Sequence, residues 1–224
     1  MAAPGAQAFI QWLPKIVSAR RIAVLGETYS GHATAWASAR WEIVVASRLS
    51  QLAECDVGIV VNPNNPDGRL VRRDALHEIS GDLATRGGLL VVDEAFMDVI
   101  SLEESMAASM PQSGVAVLRS FGKAFGLPGL RLGFAIATPE LADAIRAALG
   151  PWPVSGPAID SARRALEDRS WLERERWRLA RDVRRLEKLL ETAGFSIIGG
   201  TPLSASPVME MPIPGSSACA ASVS

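Results

Sequence analysis

The 224-residue chain has little of what marks several common protein classes. It holds two cysteines, Cys55 and Cys219, far apart and without metal-ligand spacing, and its only histidines are His32 and His77. That supply argues against a disulfide scaffold and against a zinc site. No apolar run approaches the roughly 20 residues that a membrane span requires. Met1 is followed at once by Ala2-Ala3-Pro4-Gly5, with neither the basic nor the apolar segment of a signal peptide. The expected setting is therefore reducing and cytoplasmic. A net charge of −1 provides no field to gather nucleic acid or an anionic membrane. The arginine pairs Arg163/Arg164 and Arg184/Arg185 stand among acids and read as solvated helix faces.

What remains is ordinary soluble composition, 48% hydrophobic and 21% charged, enough for a sizeable core. Short apolar runs alternate with helical patterns, the signature of an α/β layer fold. Strands are expected at Ile22–Leu25, Glu42–Ala46, Val57–Val61, Leu89–Val92, Val115–Arg119 and Leu132–Ala137. Several lack polar alternation, as strands covered on both faces do. Helical patterns fill Ala6–Ile16, Gly31–Ala39, Asp74–Thr85 and Pro139–Ala148. The Gly-rich loop Ser120–Arg131 is too short for a right-handed helical crossover, so Leu132–Ala137 is expected to run antiparallel in a mostly parallel sheet. After the hinge-like stretch at residues 150–157, one long amphipathic helix is expected from about Ala158 to Ala193, with a buried stripe including Leu172, Leu179, Leu186 and Leu190. Gly194 would end it and Phe195–Ile198 would open a smaller domain. Thr201–Ser224, rich in Ser, Ala and Pro with one charge, shows neither period and reads as a disordered or non-native tail. The expected division is a large domain over 1–150, a hinge, long helix and incomplete small domain over 151–200, and the tail over 201–224.

Four segments carry candidate chemistry, each with a bland alternative. Lys123 lies in a Gly-rich loop directly after a buried strand, where ligands bind in open α/β folds, flanked by Ser120 and Arg131 as a hydroxyl and a guanidinium for a phosphate. Such a lysine, if partly desolvated, can attack a carbonyl; alternatively it is a surface lysine. Asp93 ends an apolar strand, where a carboxylate needs a cation or donors; a protonated ring nitrogen is one such partner, a helix N-cap another. Asn65 follows a strand within Asn62-Pro63-Asn64-Asn65-Pro66-Asp67-Gly68 and offers a donor suited to a phenolate oxygen, or else belongs to a plain turn. Gly5, Ala6 and Gln7 open a helix whose free N–H groups suit an anion. Tyr29, the only tyrosine, suits stacking on an aromatic ring or simple packing. All of these follow strands or open helices at one sheet edge, so they converge.

With these residues in this order, the sequence resembles the class I/II aminotransferase family of fold-type-I pyridoxal-phosphate enzymes over roughly Ala3 to Thr201. The resemblance implies the large domain of that fold, a mostly parallel sheet flanked by helices. It implies that Lys123 holds pyridoxal 5'-phosphate as a Schiff base and that Asp93 pairs with its ring nitrogen. Asn65 would bond the phenolic oxygen, Tyr29 stack on the ring, and Ser120, Arg131 and the Gly5-Ala6-Gln7 turn hold the phosphate. A homodimer and an amino acid phosphate substrate are implied as well. Within the family, Asp93–Phe96, Ser120–Gly133 and residues 150–157 look most like the threonine-phosphate decarboxylases of cobalamin biosynthesis.

Phe96 departs from the related histidinol-phosphate aminotransferases, which commonly carry a tyrosine there; its absence removes one donor to the phenolic oxygen. The segment that precedes the phosphate turn in relatives, and the small-domain arginine that grips the substrate carboxylate, have no counterpart in the matching region. Three readings follow: a decarboxylase of amino acid phosphates, a histidinol-phosphate-type transaminase, or a catalytically incompetent truncated remnant.

Overall fold

The computed structural model describes residues 1–100, 102–110 and 113–208. Seven strands form one sheet: β1 (Ala2–Ala3), β2 (Arg21–Leu25), β3 (Glu42–Ala46), β4 (Val57–Val61), β5 (Leu89–Asp93), β6 (Val115–Ser120) and β7 (Gly133–Ile136). Their order is β1-β7-β6-β5-β4-β2-β3. Strands β2 to β6 are parallel, and β7 runs antiparallel to β6 with Ser120 opposite Gly133. The short Ser120–Arg131 loop forces that reversal, because it spans two adjacent strands without a covering helix.

The apolar strands alternate between two cores. Ile22, Val24, Val57, Ile59, Val91 and Leu118 face α1 (Ala6–Ile16), α2 (Ser30–Ser38) and α4 (Pro139–Leu149), packing with Phe9, Leu13, Trp36 and Ile145. Ala23, Leu25, Val60, Leu90, Val92 and Val117 face α3 (Arg73–Ala84) through Leu76, Ile79 and Leu83. Both faces are therefore dry, which is why these strands lack a polar alternation. At about 25 cal/mol per Å² of apolar surface, each fully buried Leu, Ile or Phe contributes on the order of 1.5–3 kcal/mol.

Two expectations need correction. The helix placed over Ala158–Ala193 is two helices, α5 (Gly156–Glu167) and α6 (Arg169–Thr192). Asp168 separates them: its backbone leaves the helical region at ψ 72°, and its carboxylate accepts from the Trp171 N–H and Ser170 Oγ, capping α6. The apolar stripe of α6 is also not fully buried. Leu172 and Leu179 are half-buried against Phe121, Phe125 and Leu132, whereas Leu186 is exposed. Leu186 and Leu189 stay in water although the helix also packs against residues 196–208, where Leu190 is half-buried.

The second correction concerns the segment from Thr201. Ser204–Val208 forms β9, antiparallel to β8 (Ser196–Thr201). Thr201 and Ser206 are buried, Ser206 Oγ donates to the Pro66 carbonyl, and Gly200 N–H donates to the Asp67 carbonyl at 2.9 Å. The backbone pairing of the hairpin and its docking on the Pro66–Gly68 turn stabilise a segment whose composition carries no strand period. The rest of the expected tail, residues 209–224 including Cys219, lies outside the described residues.

Candidate active site

The carboxyl ends of β4, β5 and β6 meet the amino end of α1 around a cavity of about 450 Å³. Gly5, Ala6, Gln7, Tyr29, Asn65, Asp93, Ser120, Lys123 and Arg131 all line it, with Phe96 and Pro128 among the apolar remainder. Residues 126 positions apart in sequence, Gly5 and Arg131, thus share one wall.

The anion-suited end is built from three elements. Gly5 caps α1 at φ 82° and Ala8 N–H donates to its carbonyl at 3.1 Å, while no side chain caps the turn, so the Ala6 and Gln7 N–H groups are the ones suited to an anion. A Cβ on Gly5 would stand 3.1 Å from Arg131 Nη2, which places the guanidinium at the helix amino terminus. Arg131 itself sits in left-handed backbone at φ 48°, following the Pro128–Leu130 turn and anchored by its N–H to the Pro128 carbonyl. A non-glycine residue held there is strained, a feature common at ligand sites. Ser120, last residue of β6, adds its hydroxyl to the same wall.

Asp93 also lines the cavity and is buried. Its Oδ2 is 2.8 Å from His32 Nε2, and its Oδ1 accepts the Ala95 N–H at 3.0 Å. Because an ionised carboxylate only accepts, His32 presents its Nε2 hydrogen. His32 is itself buried, on the face of α2 that follows Tyr29. Sequence reasoning counted His32 only as a missing zinc ligand. No local signal marks that role, because its partner Asp93 lies 61 residues away.

The Asn-Pro turn sorts its three asparagines. Asn62 exchanges two bonds with Val71, and Asn64 donates to the Glu27 carbonyl and to Asp67, so both lock the turn. Asn65, half-buried, is the one that lines the cavity. Lys123 lies in the loop after β6 and is exposed, with Nζ 5.2 Å from the centre of the Phe96 ring. Phe121 and Phe125, buried and stacked at 4.5 Å, anchor that loop from below. Tyr29 is 42% exposed, and its hydroxyl donates to Gln7 Oε1 at 3.1 Å.

Beneath the cavity lies a buried network that sequence reasoning did not single out. Glu94 is fully buried and accepts from Arg119 Nη1 at 2.9 Å, from Ser105 Oγ and from the Met106 N–H. Arg119 also pairs with Asp98, whose carbonyl accepts from Arg176 of α6 at 2.7 Å. Burial raises the Glu94 carboxyl above its ordinary range, while Ser105 and Arg119 pull it back. Glu94 follows Asp93 and Arg119 precedes Ser120, so this pair ties together the strand ends that carry cavity residues.

A mixed sheet of this order, with a lysine loop, a buried acid and an anion-suited helix terminus at its parallel strands' carboxyl ends, is the large-domain fold of fold-type-I pyridoxal-phosphate-dependent enzymes. The chain belongs to the aminotransferase class I and II family, whose model matches residues 2–203. The threonine-phosphate decarboxylase of Pseudomonas aeruginosa is 45% identical over 202 residues, 89% of this chain and 61% of that protein. The chain thus spans about three fifths of that relative's length. Among solved structures, the histidinol-phosphate aminotransferase of Clostridium acetobutylicum superposes with a TM-score of 0.82 at 21% identity, covering 94% of this chain and 67% of that one. The histidinol-phosphate aminotransferase of Sinorhizobium meliloti, solved in complex with pyridoxal-5'-phosphate, gives a TM-score of 0.77 at 22% identity, covering 89% and 58%.

The cavity fits that cofactor. A buried carboxylate at its wall suits a protonated ring nitrogen, and the space above Gly5, which a Cβ would narrow against Arg131, suits a phosphate.

Proposed function

We propose that this chain carries the cofactor site of a pyridoxal-phosphate-dependent lyase that decarboxylates an amino acid phosphate, of the threonine-phosphate decarboxylase type. The observation that carries the reading is the joint placement of Lys123, the Asp93–His32 pair and the Gly5–Arg131 anion cradle on one cavity. The 45% identity to a decarboxylase supports the choice of reaction.

When bound, pyridoxal phosphate supplies an electron sink for the pair released as a bond to the substrate's α-carbon breaks. The chain's own residues do the rest. Arg131, Ser120 and the Gly5-Ala6-Gln7 turn hold the phosphate by charge and donated hydrogen bonds. Asp93 would keep a proton on the ring nitrogen, and the His32 contact at 2.8 Å orients the Asp93 carboxylate. Asn65 donates to the phenolic oxygen, and Tyr29 covers one ring face. Lys123 would hold the cofactor through its amine, and the same amine, when free, is the group placed to give a proton to the substrate's α-carbon. Phe96 supplies no hydroxyl beside Lys123, so Asn65 is the principal donor to the phenolic oxygen.

The division into a cofactor-binding unit over 1–150 and a second unit from 151, a homodimer, a cytoplasmic setting and a place in cobalamin biosynthesis belong to the same proposal. No helix among the described residues is long and apolar enough to cross a membrane.

The test is to add pyridoxal phosphate to the purified chain, reduce with borohydride and map the adduct by mass spectrometry, beside Lys123→Ala. An adduct on Lys123 that vanishes in the variant supports the site; unchanged trapping in Lys123→Ala overturns it. Carbon dioxide released from threonine phosphate then supports the lyase reading. Formation of a keto acid, with amino transfer to an acceptor, replaces it with transamination, and no turnover in a chain that traps cofactor supports the remnant reading.

A further inference from the structure

Gly31 is a poor choice for its position by local criteria. It stands in the first turn of α2, Ser30–Ser38, where alanine forms helix better than glycine. Its backbone is not in the left-handed region that would explain a glycine. The explanation is spatial. A Cβ at this position would lie 2.7 Å from Cζ and 3.0 Å from Oη of Tyr29, and closer still to Cε1. The Tyr29 ring folds back onto the space that the missing side chain leaves.

A second contact holds the ring through its hydroxyl. The Tyr29 hydroxyl donates to Oε1 of Gln7, in the first turn of α1, at 3.1 Å. A third sets its edge: the ring meets His32 at 6.3 Å and 89°, and His32 is the residue bonded to Asp93. Tyr29 is 42% exposed, so burial alone does not fix it.

We propose that Gly31 and Gln7 are positioning residues that set the Tyr29 ring against the cavity before any ligand arrives. Gly31 admits the ring and Gln7 tethers its hydroxyl. With its Oε1 engaged by the phenol, Gln7 has its amide N–H groups left to donate elsewhere. The proposal rests on the reading of Tyr29 as the ring that covers the cofactor. A ring ordered in advance loses less freedom on binding, so its effect appears in affinity. With alanine at 31, the ring must retreat by about 1 Å to regain ordinary contact near 3.5 Å.

Because Tyr29 is the only tyrosine, [13Cε]-tyrosine labelling yields one ring signal from the whole protein. In the ligand-free wild type this signal is expected away from its position in urea-unfolded protein. Gly31→Ala should move it towards the unfolded position with the far-ultraviolet dichroism retained, and Gln7→Ala should do the same. Gln7→Glu, which keeps an acceptor for the phenol, should restore the wild-type signal. Each variant that moves the ring should weaken pyridoxal phosphate binding by about 2- to 10-fold, the cost of ordering one side chain. A Gly31→Ala signal coincident with wild type overturns the role of Gly31. If Gly31→Ala does not fold, the Gln7→Ala and Gln7→Glu pair decides, and equal signals in those two overturn the tether. An unchanged cofactor affinity in Tyr29→Ala defeats the reading of Tyr29 as the covering ring, while the ligand-free signals still judge the positioning separately.

Discussion

Replacing Arg119 with methionine tests whether the buried network beneath the cavity holds the strand ends together. Arg119 faces Glu94 at 2.9 Å and pairs with Asp98, and its own side chain is 14% exposed. Methionine fills similar volume without charge, so the main consequence is two buried carboxylates without their counter-charge. Removing one member of a buried pair costs about 3–5 kcal/mol. Proton uptake sets a ceiling on the Glu94 share. Neutralising it costs about 1.4 kcal/mol per pH unit above an ordinary value near 4.3, hence about 4 kcal/mol at pH 7.5 and about 1 kcal/mol at pH 5. The sign follows from the direction of its shift. Burial raises the Glu94 carboxyl in the folded state, so the folded chain holds that proton more tightly than the unfolded chain. Its contribution is therefore most favourable below the ordinary value and falls as pH rises towards the raised one. Arg119→Met removes a group that opposes the shift, so the penalty deepens with pH. Urea titrations of both proteins at pH 7.5 and pH 5, read as differences at each pH, should show a loss of about 3–4 kcal/mol that shrinks by about half or more on acidification. An equal loss at both pH values would refute the electrostatic account and leave altered packing as the cause. A loss below about 1 kcal/mol would show that the network is not a structural tie.

Three further outcomes follow from particular contacts. Asp93→Asn should keep borohydride trapping on Lys123 while turnover falls by about 10²–10⁴, the range for a lost proton-holding group, in a stopped assay of carbon dioxide release. His32→Phe removes the Nε2 donor to the buried Asp93 carboxylate and should cost about 1.5–3 kcal/mol in urea, more than the same change at the half-buried His77. Gly68→Ala places a Cβ onto the Gly200 carbonyl oxygen at a backbone φ of 72°, and should loosen the β8–β9 hairpin. The expected cost is about 1–3 kcal/mol, seen as a lower melting temperature and faster amide exchange over 196–208.

Much of the architecture was legible along the chain because it depends on local pattern. The uninterrupted apolar runs at Val57–Val61 and Leu89–Val92 announce strands covered on both faces, and the cores on either side of the sheet are the cause. The shortness of Ser120–Arg131 dictates the antiparallel β7. The candidate residues Gly5, Asn65, Asp93 and Lys123 each follow a strand or open a helix, which is enough to direct them to one edge without knowing their distances. Asp168 shows where pattern misleads: leucine spacing runs through a position at which a capping carboxylate breaks the helix.

Other features depend on partners remote in sequence and have no local signature. His32 and Asp93 are 61 residues apart, and nothing near either one indicates the 2.8 Å contact between them. Glu94, Asp98, Ser105 and Arg119 become a network only when β5, β6 and the segment between them pack, because a buried charge finds its partner through space. Ser204–Val208 gains its strand from hairpin pairing and from the Pro66–Gly68 turn, 140 residues earlier at the Ser206–Pro66 contact. Apolar periodicity and turn chemistry are written in neighbouring residues and can be read from them. Hydrogen-bond and ion partners across the sheet are selected by packing, and only the folded chain brings them within reach.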